Sequence, residues 1–120
     1  MLYQELSSQV IGAVIAVHRE LGPGLLEAPY HNALYYELAE RGSAVVYNAP
    51  YPVFYKGRQV GEYFADLVVA GKIILEVKSV GLITAVHQAQ LVNYLRIAGL
   101  RLGLLVNFHG ERAQWQRFAV

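Results

Sequence analysis

The chain has 120 residues, 55% of them hydrophobic, with a formal net charge of +1 and no cysteine. That length fits one domain around one core, spanning 1–120. The missing cysteines exclude disulfides and thiolate metal sites, and near-neutrality excludes the strongly basic footprint of a protein that grips long nucleic acid by charge alone.

No apolar run approaches the roughly 18 residues of a membrane helix, so no membrane is expected among the partners. The start MLYQELSSQ has no basic region ahead of an apolar stretch, so no secretory leader is expected, and the absence of cysteine fits a cytoplasmic location. So apolar a composition in a short chain predicts a face covered by a second copy, a homodimer.

Val10, Ile11, Val14, Ile15 and Leu21 recur at helical spacing and predict a helix over 4–21, which Gly22-Pro23-Gly24 ends. A second helix is predicted over 26–41, with Pro29 tolerated in its first turn and Gly42 closing it. Residues 45–55 read as extended chain broken by Pro50 and Pro52, ending at a Lys56-Gly57 turn. Strands follow at 59–69 and 73–79, then a helix over 84–98 with Thr84 as N-cap and Gly99 as its stop. Leu102 to Asn107 is a continuous apolar run, as in a buried strand, and 112–118 alternates like an edge strand. The order α-α-β-β-β-α-β-β predicts an α/β (α+β) fold, a mixed sheet with helices packed on it.

The chemistry concentrates in residues 64–79, FADLVVAGKIILEVKS. Glu76 and Lys78 share one strand face while Ile73, Leu75 and Val77 take the other. A three-residue Ala70-Gly71-Lys72 loop would pair Val69 with Ile73 and bring Asp66 opposite Glu76; a two-residue loop would put Asp66 on the wrong face. The odd-length connection is predicted, with Gly71 supplying a positive φ. Two acids and a lysine on so apolar a hairpin are costly to bury without a partner, and a divalent metal beside a phosphodiester supplies one. On spacing alone, a solvated strand face with a weak Glu–Lys contact is the more economical account.

Glu27 lies in the first turn of the second helix, where a carboxylate complements the dipole, and Tyr30 is on the same side. Gln90 and Tyr94 share a face of the later helix with His87, while Val86, Leu91, Val92 and Leu95 supply packing. His18, His31 and His109 have no metal-ligand spacing.

Gly24-Leu25-Leu26-Glu27-Ala28-Pro29-Tyr30 resembles the motif that names the GxxExxY proteins, small bacterial and archaeal members of the PD-(D/E)XK nuclease superfamily. Around it, residues 18–24 resemble that family's opening turn, and 63–67 and 75–78 its Asp and Glu-x-Lys motifs. Residues 87–95 and 103–108 resemble its C-terminal half, so the likeness runs over nearly the whole chain. Departures are Gly81, where an acid is frequent, and Phe64, where an arginine is expected.

The resemblance implies an α-β-β-β-α-β restriction-endonuclease-like core and a nuclease that hydrolyses nucleic acid, DNA in preference to RNA. It implies Mg²⁺, or Mn²⁺ in its place, held by Asp66, Glu76, the Val77 carbonyl and waters. Lys78 would orient or stabilise the attacking water, and Glu27 would reach the metal site directly, through water or at a second ion. Gln90, with Tyr94, would brace the site and contact nucleic acid as in RecB-like nucleases, with His87 in support; Tyr30 either packs or supports Glu27. The weak net charge keeps one alternative open, a relative that binds nucleic acid or protein without cutting, alone or within a defence or repair assembly.

Overall fold

The computed structural model describes residues 1–120. Its elements are α1 Gln4–Leu21, α2 Glu27–Glu40, β1 Val45–Tyr55, β2 Arg58–Val69, β3 Ile73–Lys78, α3 Ala85–Ala98, β4 Leu102–Asn107 and β5 Gln114–Ala119. The mixed α/β order is the one expected. The five strands lie in chain order across one sheet. Neighbours are antiparallel except β3 and β4, which are parallel. A parallel pair needs a crossover, and α3 is that crossover.

Strand alternation then divides the core. Leu75 and Val77 of β3 and Leu104 and Val106 of β4 face α1 and α2, packing on Val10, Val14, Leu34 and Leu38. Ile74 of β3 and Leu105 of β4 face α3, packing on Leu91 and Leu95. Glu76 and Lys78 therefore look toward α3. No helix is long and apolar enough to cross a membrane.

β1 departs from the expectation. Pro50 and Pro52 do not break it; they sit within a continuous strand, paired with Phe64 and Glu62 of β2. β1 is an edge strand, with no ladder to complete on its outer side, and that is where a sheet tolerates proline.

The β2–β3 turn has the odd length expected: Val69 pairs with Ile73, Val68 with Ile74 and Leu67 with Leu75. Gly71 takes φ +62. Ala70 also adopts a left-handed conformation, φ +54, uncommon for a residue with a Cβ. Its N–H donates to the Ala44 carbonyl at 2.7 Å, pinning the turn to the start of β1.

Simple alternation fails in β2 just before that hairpin. Leu67 and Val69 face α1 and α2, yet Ala65 packs on the α3 side, where the Asp66 side chain also lines a cavity. Two successive residues thus point the same way, as at a β-bulge. The irregularity is shared by Asn48, between the pairs Tyr47–Leu67 and Ala49–Ala65, which takes φ +49. The Asp66 carbonyl accepts a hydrogen bond from His31 Nε2 at 2.8 Å.

How closely α3 approaches the sheet is fixed by Gly103 on β4. A Cβ there would lie 2.8 Å from Leu91 Cδ1 and 3.0 Å from Leu91 Cγ. Gly103→Ala is expected to overpack this contact and lower unfolding free energy by about 1–3 kcal/mol. Urea denaturation checks it, and an unchanged midpoint would show that α3 is not held this close.

Candidate metal and catalytic site

A cavity of about 220 Å³ opens between α3 and the sheet. Tyr63 and Asp66 come to it from β2, Glu76 and Lys78 from β3, and His87, Gln90 and Tyr94 from α3. Each arrives for a local reason. The odd-length β2–β3 turn sets Asp66 opposite Glu76, and the irregularity in β2 brings Tyr63 to the same face. Alternation in β3 presents Glu76 and Lys78 together, and helical spacing stacks Gln90 and Tyr94.

Asp66 is held by its Oδ2, which accepts the backbone N–H of Val77 at 2.7 Å. That N–H belongs to the residue between Glu76 and Lys78, so one bond ties the β2 acid to both β3 groups. Glu76 is only 6% exposed, and its Oε1 accepts the Tyr63 hydroxyl. The Tyr63 ring in turn stacks on Tyr94, with centroids 3.6 Å apart and planes 14° from parallel.

These contacts set the electrostatics. Burial pushes the Glu76 carboxyl up to about 8, and the Asp66 charge adds to the rise; the Tyr63 hydrogen bond and the Lys78 charge oppose it. Burial and the Glu76 charge push the Tyr63 phenol well above its ordinary range, so it stays a donor. Burial also raises Tyr94. Lys78 is half-buried at the cavity wall; the chain's one ion pair, Arg41–Glu37, lies elsewhere.

The residues fit a hard divalent cation. No group of three or more His, Cys, Asp or Glu side chains gathers closely enough to hold a metal by itself, so most of an ion's shell here would be water. Two carboxyls, each with one oxygen left over by Tyr63 or Val77, suit an octahedral ion that retains several waters. A cation between them would also offset the burial, and with it the like-charge repulsion, that raise Glu76.

The structure brings Asp66, Glu76, Lys78, His87, Gln90 and Tyr94 around one cavity and does not bring Glu27 or Tyr30 there. Glu27 is exposed in the first turn of α2, outside the cavity. Tyr30 is fully buried and stacked on Phe108 at 4.5 Å. Its hydroxyl donates to the Gly22 carbonyl at 2.5 Å and accepts from Leu25 N–H at 3.2 Å, so it packs and clamps a turn. His87 also serves its own helix, because its Nδ1 accepts from Thr84 N–H and closes the capping box of α3.

Tyr63 is the site residue that sequence reasoning did not single out. It lies three residues from Asp66, so strict alternation puts it on the opposite face. Only the irregularity in β2 brings both to α3, and no sequence signal marks it.

Comparison with known proteins adds a family and a fold. The model of the PD-(D/E)XK nuclease superfamily matches residues 4–118. Among solved structures, the chain is similar to SSO0001 with TM-score 0.56 and 21% identity, over 74% of this chain and 48% of that one. It thus spans about half the length of SSO0001. It is also similar to an alkaline exonuclease (LHK-Exo) from Laribacter hongkongensis, with TM-score 0.56 and 14% identity, over 94% of this chain and 70% of that one. At such identities the likeness is one of fold. No curated protein matches the chain.

Glu76 holds its proton to about 8 in the folded chain, against an ordinary value of 4.5. Between those values the folded state binds more protons than the unfolded one, so metal-free stability is expected to fall as pH rises through that window. Thermal unfolding in a chelating buffer should show the decline, and Glu76→Gln should flatten it. A Tm that climbs steadily toward pH 8 would contradict the raised carboxyl.

Proposed function

The chain belongs to the PD-(D/E)XK nuclease superfamily, and from that premise we propose that it is a metal-dependent nuclease of the GxxExxY type. In this reading it hydrolyses phosphodiester bonds of nucleic acid, DNA in preference to RNA, in the cytoplasm. Mg²⁺ is the proposed ion, with Mn²⁺ able to replace it. The observation that carries the reading is the meeting of Asp66, Glu76 and Lys78 at one cavity, with Asp66 locked to the Val77 N–H between the other two. The exonuclease name of one fold neighbour supports nucleic acid as the substrate class.

Asp66, Glu76 and the Val77 carbonyl would hold the ion. Bound there, it supplies positive charge to the phosphate oxygens and acidifies a water. Lys78 places its ammonium beside the attacking water, orienting it and stabilising the charge it gains. Gln90, on the opposite wall, donates to a phosphate oxygen. Tyr63, braced by Tyr94, fixes the Glu76 carboxyl so that its free oxygen points into the cavity. Water gives up a proton to solvent as it adds to phosphorus in line, the bond to the leaving oxygen breaks, and that oxygen takes a proton from solvent.

A homodimer belongs to the same proposal. Phe54, Tyr55, Val60 and Phe64 of the β1–β2 hairpin are 61%, 61%, 63% and 53% exposed, an apolar surface that a second copy would cover.

Labelled DNA and RNA incubated with Mg²⁺ or Mn²⁺ are expected to be cut, with cleavage abolished by chelator and reduced about 100-fold or more in Lys78→Ala. Equal activity in wild type and variant would assign the cutting to a contaminant. Binding without cleavage in either would replace the nuclease with a non-cutting nucleic-acid-binding module.

A further inference from the structure

Two rows of residues cross the α3 face of the sheet from the catalytic strand to its far edge. Glu76 pairs with Leu105, and Leu105 with Gln116; Lys78 pairs with Asn107, and Asn107 with Gln114. At a strand spacing of about 4.8 Å, Gln116 and Gln114 stand about 10 Å from Glu76 and Lys78. A second cavity, about 460 Å³, lies there between the β3–α3 loop and β5. Leu105 lines both this cavity and the catalytic one, so the two adjoin.

The lining is distinctive in its chemistry. It contains no charged side chain. Leu82, 75% exposed, and Ile83 present apolar surface, whereas Trp115, between Gln114 and Gln116 on β5, alternates to the α1 face and lines a cavity there with Ile15 and His18. Three amides also line it, but Asn107 is committed internally, donating to the Val80 carbonyl and accepting from the N–H groups of Val80 and His109. Gln116 gives only its Oε1, accepting from Gln88 Nε2 at 2.8 Å, which leaves its NH₂ to donate. Gln114 is exposed on the edge strand.

A phosphate would need cationic partners that this cavity lacks. A wholly apolar ligand would bury the amides without partners. A flat, neutral group with a hydrogen-bonding edge satisfies both. We propose that this cavity is a nucleobase subsite of the nuclease site. Leu82 and Ile83 pack against a base of the bound strand, and Gln114 and Gln116 bond to its polar edge, within a few nucleotide steps of the phosphate at Lys78. Adenine, whose N6 and N7 match one amide, is the favoured base. The proposal rests on the nucleic-acid reading above and adds a base preference to a site otherwise blind to sequence.

Trp115 also lines a cavity beside α1 on the other face of β5, so binding is read by the quenching of a fluorescein label on the oligomer. Lys78→Ala protein, in the buffer of the cleavage assay, is titrated into labelled oligo(dA) and into a labelled abasic oligomer of the same length. Saturable quenching of labelled oligo(dA), about tenfold tighter than of the labelled abasic strand, is expected. Gln114→Ala/Gln116→Ala, two exposed positions, should weaken oligo(dA) by a similar factor. Equal affinity for both oligomers, no quenching, or an unaffected double variant would each overturn the subsite. The oligomer comparison needs no substitution in the subsite itself. Wild-type cleavage, run in parallel, tests the nuclease reading separately: base-dependent quenching without cleavage sustains the subsite, whereas cleavage without base dependence removes only the subsite.

Discussion

Two carboxyls share one confined space at the end of a buried strand, and much of the surrounding structure accommodates that fact. Glu76 comes from regular alternation in β3 and is nearly out of reach of water. Asp66 joins it because the odd-length turn sets the two opposite one another across β2 and β3. The Asp66 carboxylate takes the Val77 N–H, and His31 takes its carbonyl. Burial and like charge together keep Glu76 neutral in the metal-free protein, so the site is set up as a cation would require and holds a proton in its place. A pair of acids arranged only for stability would be expected to separate.

The aromatic contacts convert this pair from a local strain into a shaped site. Tyr63 bonds to Glu76 and stacks on Tyr94, linking the acid on β3 to a helix on the sheet's face through two rings. That link works only if α3 is held at one height. Its height is set by Gly103, whose missing Cβ makes room for Leu91, and its start by the Thr84–His87 capping box. His87 thereby orients the helix that carries Gln90 and Tyr94, a positioning role that requires no contact with a reacting atom.

What can be read in the sequence follows from which signals are local. Helix α1, the Thr84 cap, the odd β2–β3 connection and the shared face of Glu76 and Lys78 all depend on spacing or on a few adjacent residues. Each can be read from the chain. The β2 irregularity depends on how β1 twists against it at Asn48, a tertiary effect, and Tyr63 escapes a sequence reading with it. Pro50 and Pro52 mislead because a proline's cost depends on whether its strand lies at an edge, which one sequence does not state. Val86 reads as a packing residue but is 63% exposed, since α3 buries only the narrow stripe through Leu91 and Leu95.

Glu27 and Tyr30 show a motif acting through architecture. Their spacing suggests a common approach to the site, yet Tyr30 turns inward, its ring against Phe108 and its hydroxyl joining the Gly22 carbonyl to the Leu25 N–H. That closes the α1–α2 turn from within the core. The Leu25 carbonyl then accepts the Ser79 hydroxyl at 2.6 Å, fastening the turn to the residue after Lys78. This fastening adds to the hold of β4 on the strand end, where the Lys78 carbonyl accepts the Phe108 N–H at 2.9 Å. The heptad Gly24–Tyr30 thus holds the end of the strand that presents Lys78, from the opposite side of the sheet to the cavity. Its glycine serves the turn, with Gly24 at φ +97, and its tyrosine serves the clamp. A substitution in this motif would be felt at the site through the placement of Lys78, without any motif side chain entering the cavity.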